Sequence, residues 1–129
     1  MGKDFSEWCR VKQTIENTSK RIFYREGEVR WCSLGLNVGL EMDGKGRRFT
    51  RPVLIVKALG RNALLCMPVT TKIRLDTHYR DIDLGDGMAR QVSLSQIRFI
   101  DTKRLGERLG AINKEKLREI KQAAIAVIA

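Results

Sequence analysis

The sequence predicts a mainly β protein of the α+β class: a partly open β-barrel or sheet, with a packed helix at its C-terminus and an extra short helix at its N-terminus. Three observations carry this. Between Glu28 and Ile112 the chain holds several short strand-like runs separated by Gly-containing turns. "NKEKLREIKQAAIAVIA" puts Leu117, Ile120, Ala124 and Val127 on one helical face behind Asn113 as a cap. "DFSEWCRVKQTIENT" spaces Phe5, Trp8, Val11 or Lys12, and Ile15 at helical intervals.

In order, the N-terminal helix occupies residues 4–17, and Arg25 to Gly27 punctuate the chain after it. "EVRWCSL" alternates Val29, Trp31 and Ser33, a strand pattern in which Trp31 reads as core rather than as a platform for a base. "GLNVGLEMDGKGRRFT" is a long Gly-rich loop. Two apolar runs follow, Pro52 to Leu59 and Ala63 to Val69, around a Gly60-Arg61-Asn62 break. "HYRDIDL" alternates again, placing His78 on a polar strand face, and "GDG" turns the chain. "ARQVSLS", "IRFID" and "ERLGAI" are further strands before the final helix. Neither a repeat nor a linker divides the chain, so residues 1–129 read as one domain, long enough to bury a core.

The two apolar runs are bracketed by polar residues. If Gly60-Arg61-Asn62 is a tight turn, the runs form an antiparallel hairpin. Pairing outward from Arg61 sets Leu59 opposite Ala63, Val53 opposite Val69, Pro52 opposite Thr70 and Arg51 opposite Thr71. Opposed residues lie about 5 Å apart at Cα. A guanidinium and threonine hydroxyls then converge at one end of a buried strand pair, with Pro52 holding Arg51 extended. A mounted cation beside hydroxyl donors suits a phosphate. The same residues also suit a plain strand end, since threonine is a good strand former and arginine often caps a strand edge.

Composition narrows the partner. Lys and Arg number 25 against 15 acids, a net charge of +10, which favours a polyanion: nucleic acid or an acidic protein segment. The basic residues cluster in "DGKGRRFTR" and "TKRLGERLG". No apolar run approaches the ~20 residues that span a bilayer, and the charged start "MGKDFSEWCRVK" is unlike a signal peptide. Cys9, Cys32 and Cys66 are odd in number and lack metal-ligand spacing, so they read as reduced thiols in a cytoplasmic protein.

"GEVRWCSLGLNVGLE", "RPVLIV", "MPVTTK" and "SLSQIRFIDTKRLGERLGAI" occur in that order. Together they resemble the MazF/PemK family of toxin endoribonucleases from type II toxin–antitoxin modules, over a core of residues 27–127. The resemblance implies an SH3-like barrel, a homodimer, cleavage of single-stranded RNA without a metal or other cofactor, and neutralisation by a cognate antitoxin. By that resemblance the family's essential arginine falls on Arg51, its essential threonine on Thr70, and the acidic residue of its loop motif on Glu41. The chain departs from the pattern at Leu40 and Met42, in a longer loop between Glu41 and Arg51, and in the N-terminal helix.

Metal-independent RNA cleavage lets the 2′-hydroxyl attack its own phosphate, leaving a 2′,3′-cyclic phosphate and a 5′-hydroxyl. It needs a base, stabilisation of the phosphorane and a proton for the leaving oxygen. His78 is the one histidine, so a two-histidine pair is impossible within a subunit. Glu41 is the candidate base, or else an ordinary loop carboxylate. Arg51 is the phosphorane stabiliser, and Thr70 orients a non-bridging oxygen. For RNA binding, Lys45, Arg47 and Arg48 track the backbone or remain solvated surface. Phe49 stacks under a base or packs in the core. Thr71 adds a hydroxyl, though it faces the other side of the strand from Thr70. Gln96 either hydrogen-bonds across the site or holds a turn. Two rival classes are a gyrase poison on the same barrel and a non-catalytic nucleic-acid or antitoxin-binding module. The first relies on a tryptophan near the C-terminus, where this chain has "AAIAVIA".

Overall fold

The computed structural model describes residues 3–17, 22–35 and 50–129. Helix α1 spans Phe5–Glu16, and strands follow as β1 Glu28–Ser33, β2 Thr50–Ala58, β3 Ala63–Thr70, β4 Tyr79–Ile82, β5 Arg90–Ser93, β6 Arg98–Asp101 and β7 Leu105–Ala111, before helix α2 Lys114–Ile128. The seven strands form one antiparallel sheet in the order β4-β5-β3-β2-β1-β7, with β6 also on β3. The sheet is not closed, and a helix stands at each end of the chain, as the patterning predicts.

Strand β2 shows how the sheet serves two cores. Successive side chains on a strand point to opposite faces. Leu54 and Val56 enter one cluster with Val29, Met67, Val69, Ile82 and Val92, and α2 covers it with Leu117, Ile120 and Ala124. Val53 and Ile55 enter the other, with Cys32, Leu34, Leu64, Cys66, Ile100 and Leu105. A strand buried on both faces reads as a continuous apolar run, which is what "PVLIV" is. Asn113 caps α2 by accepting the Lys116 N–H at 2.8 Å.

Helix α1 is capped by Asp4, whose carboxylate accepts the Glu7 N–H at 2.9 Å. It packs through Trp8 and Ile15, while Phe5 stays exposed. The Trp8 ring lies so close over Gly35 that a Cβ there would come within 1.9 Å of it, and Gly35 has φ +75°, so both space and backbone require glycine. The Arg104 guanidinium stands 5.7 Å from the centre of the same ring.

Two expectations need correcting. The Leu59 N–H does reach the Ala63 carbonyl, at 2.9 Å, closing the turn as predicted. Farther out, the register slips by one residue between Ile55 and Lys57, where β2 carries an extra residue. Val53 therefore opposes Pro68 rather than Val69. Carried two residues outward, this register sets Arg51 across from Thr70, not Thr71. The second correction is Trp31, which is 38% exposed rather than core. Register shifts in the β1–β7 pairing break the alternation on either side of Arg30, so Cys32 and Ser33 are both buried and Trp31 is turned outward.

Candidate functional site

The site is built from the end of the β2–β3 hairpin outward. Arg51 is half-buried on β2, opposite Cys32 of β1. Its Nη1 donates to the Val69 carbonyl at 3.4 Å, so the guanidinium reaches across to the end of β3. Thr70 ends that strand. Its Oγ1 accepts the Lys72 N–H at 3.1 Å, a local turn that fixes the hydroxyl and leaves its proton to be donated elsewhere. Thr71 lies beyond the strand and is exposed. The hairpin thus brings Arg51 and Thr70 together and leaves Thr71 outside the pair.

The next strands were expected from the sequence, but the polar residues they add to the site were not. Thr70 opposes Gln91 on β5, and Gln91 opposes Asp81 on β4. Directly opposed side chains share a sheet face. Arg51, Thr70, Gln91 and Asp81 therefore form a polar row across four strands. Gln91 is buried, with 5% of its surface exposed, and its amide is fully engaged. Nε2 donates to Asp81 Oδ1 at 2.9 Å and to the Arg74 carbonyl at 3.0 Å, and Oε1 accepts the Arg74 N–H at 2.9 Å. Arg74 in turn lays its guanidinium 5.3 Å from the centre of the Tyr79 ring. The alternation in "RDID" and the glutamine in "RQVS" were visible in the chain; what was not visible was which residue of β3 each would meet.

Gln96 closes a turn of 3₁₀ helix, Leu94–Gln96, between β5 and β6 and is half-buried. Both of those strands pair with β3, at Val69–Thr70 and at Ala63–Cys66, so this turn is what lets the chain step along one strand edge. His78 lies in the exposed turn before β4 rather than on a strand, with Nδ1 3.7 Å from an Asp76 carboxylate oxygen. Glu41, Lys45, Arg47, Arg48 and Phe49 lie outside the described residues, as do Leu40 and Met42.

The second basic cluster is committed to structure. Lys103 Nζ donates to the Glu16 carbonyl, Arg104 Nη1 to the Ser33 carbonyl, and Arg108 Nε to Glu28. Burial, and then the neighbouring Arg98, lower the Arg104 pKa from its ordinary value. Beneath the site, burial is the first cause pushing up the Cys32 and Cys66 thiols, Cys66 to about 12. Among the described residues no group of three or more His, Cys, Asp or Glu side chains is arranged to hold a metal ion. No described helix is long and apolar enough to cross a membrane.

The family model for the PemK-like, MazF-like toxin of type II toxin–antitoxin systems matches residues 25–128. Helix α1 precedes that match. Among solved structures, MazF (Form-I) from Deinococcus radiodurans is similar at a TM-score of 0.67 and 19% identity, covering 81% of this chain and 96% of that one. An endoribonuclease in complex with its cognate antitoxin, from a Mycobacterial species, matches at 0.63 and 20%, covering 82% and 95%. The Mycobacterium tuberculosis toxin MazF-mt6 matches at 0.60 and 18%, covering 78% and 95%. At these identities the likeness is one of fold. No curated protein matches the chain.

Proposed function

Because the chain belongs to the PemK-like, MazF-like toxin family of type II toxin–antitoxin systems, we propose that it is an endoribonuclease that cuts single-stranded RNA in the cytoplasm. The observation that carries this is the Arg51 guanidinium reaching the Val69 carbonyl beside the Thr70 hydroxyl, at the end of a strand pair buried on both faces.

The chemistry follows from those groups. The 2′-hydroxyl of the substrate attacks the adjacent phosphorus and gives up its proton. Glu41 is assigned as the base that takes it, on the resemblance alone. The P–O5′ bond then breaks as the leaving oxygen takes up a proton from solvent, giving a 2′,3′-cyclic phosphate and a 5′-hydroxyl. Negative charge grows on the non-bridging oxygens in between. Arginine stays protonated at any working pH, so Arg51 serves as the charge stabiliser and not as the base. The Thr70 hydroxyl, held by the Lys72 N–H, donates to one of the same oxygens. Fixed donors aimed where charge develops are the strongest contribution a site of this kind makes. Lys45, Arg47, Arg48 and Phe49 are assigned to the RNA strand, with Thr71 and Gln96 at the margins of the site. We assign a homodimer as the working unit and a cognate antitoxin as its inhibitor.

The test is incubation of the purified protein with a long unstructured RNA in EDTA. Fragments ending in cyclic phosphate are expected. Intact RNA across several substrates would leave a binding module on the same fold, and loss of gyrase activity without RNA cleavage would point to the gyrase-poison class.

A further inference from the structure

Gln91 is a neutral amide buried on a strand, yet two of the three hydrogen bonds of its side chain run to a loop. The segment Thr71–His78 is exposed throughout and carries Lys72 and Arg74 directly after Thr70. A loop of that kind has little to hold it. Here one side chain supplies both halves of a backbone bridge: Gln91 Oε1 takes the Arg74 N–H at 2.9 Å and Nε2 gives to the Arg74 carbonyl at 3.0 Å. The second Nε2 proton goes to Asp81 at 2.9 Å, which locks the amide against flipping.

Gln91 stands opposite Thr70, about 5 Å away at Cα. The clamp therefore fixes Arg74 within one side-chain length of the polar row. The Arg74 guanidinium lies over the Tyr79 ring, its Cζ 5.3 Å from the ring centre. Among the described residues the Arg74 side chain makes no hydrogen bond or ion pair; its hydrogen bonds are those of its backbone.

We propose that Arg74 is a second phosphate-binding residue, engaging a backbone phosphate of single-stranded RNA next to the one cut at Arg51 and Thr70, and that Gln91 is the positioning residue that holds it there. This rests on the proposed nuclease activity. The ligand is the RNA strand because Arg74 shares the row with the hydroxyl assigned to the cleaved phosphate. A strand bound at that hydroxyl carries further phosphates on either side of the one cut.

The test uses the full chain and steady-state cleavage of an RNA oligonucleotide over a range of salt. Arg74→Ala should raise KM about 3- to 10-fold with kcat within twofold of wild type. Its log affinity for an uncleavable 2′-O-methyl version should depend on log salt with a slope shallower by about 0.7, the value for one lost phosphate contact on a single strand. Arg74→Lys should restore the slope. Gln91→Glu keeps the shape but cannot donate to Asp81 or to the Arg74 carbonyl. It should copy the KM rise, and Arg74→Ala should add little on top of it. A wild-type KM and slope in Arg74→Ala overturn the proposal. So does weakened binding of polyglutamate with RNA kinetics unchanged, which would assign the arginine to an acidic protein segment. If Gln91→Glu fails to fold, the exposed Arg74 variants decide alone. Wild-type protein that neither binds nor cuts the RNA defeats the nuclease reading itself, a result distinct from active protein indifferent to Arg74.

Discussion

Arg30 and Arg51 sit on neighbouring strands and have opposite fates. Arg30 is on β1, with 14% of its side chain exposed, and its Nε and Nη1 are both bonded within the fold. Nε donates to the Gly106 carbonyl at 2.9 Å, and Nη1 donates to the Phe23 carbonyl at 3.2 Å and to Glu28 at 3.3 Å. Arg108 completes that group through Glu28 at 3.0 Å. At the end of the β2–β3 hairpin Arg51 donates through Nη1 to the Val69 carbonyl at 3.4 Å, beside Thr70. The first arginine ties the β1–β7 edge together; the second is mounted on a buried strand pair next to a hydroxyl. A net charge of +10 is therefore a poor guide to a binding surface until each cation's partners are known.

The largest effect should come from the hairpin end. Arg51→Ala should lower RNA cleavage about 10²- to 10³-fold, roughly 3–4 kcal/mol of transition-state stabilisation. Its circular dichroism and melting temperature should stay near wild type. Arg51→Lys keeps the charge but not the planar fork and should fall between the two. Cleavage undiminished in Arg51→Ala removes this residue from the site.

Arg30→Met should do the reverse. It preserves much of the side chain's length and leaves the Gly106 and Phe23 carbonyls without their charged donor. Hydrogen bonds to charged groups are worth about 1.5–3 kcal/mol, so urea unfolding should show a loss of about 2–3 kcal/mol. Cleavage per folded molecule should hold. A stable Arg30→Met that has lost activity would mean the two arginines serve one site and the contrast is false.

Much of this was legible in the chain. The two apolar runs announced a hairpin because a strand buried on both faces needs every side chain apolar, and Leu117, Ile120 and Ala124 announced α2 by their spacing. The register was not legible. The extra residue between Ile55 and Lys57 has no local signature, and it alone decides whether Arg51 meets Thr70 or Thr71. Trp31 failed for the same reason, since two shifts in the pairing with β7 displace the alternation that placed it inside. Gln91 illustrates the remaining gap. Its role depends on β3 pairing with β5, strands with β4 between them in sequence, and no periodicity within "RQVS" carries that information.

The smallest effect sharpens the comparison from below. Cys32 lies opposite Arg51 on β1 and is buried, as is Cys66, whereas Cys9 is exposed on α1. The thiolate is the reactive form, and burial pushes the Cys32 and Cys66 thiols well above the ordinary thiol range, Cys66 to about 12. A thiol reagent at pH 8 should therefore label Cys9 alone in the folded protein and all three cysteines in denaturant. Labelling of Cys32 reports opening of the β1–β2 end, because the thiol is reached only when that pairing parts. If Cys32 reacts as fast as Cys9 under native conditions, Arg51 stands on a strand that opens readily, and the rigid mounting that sets it apart from an ordinary surface cation is lost.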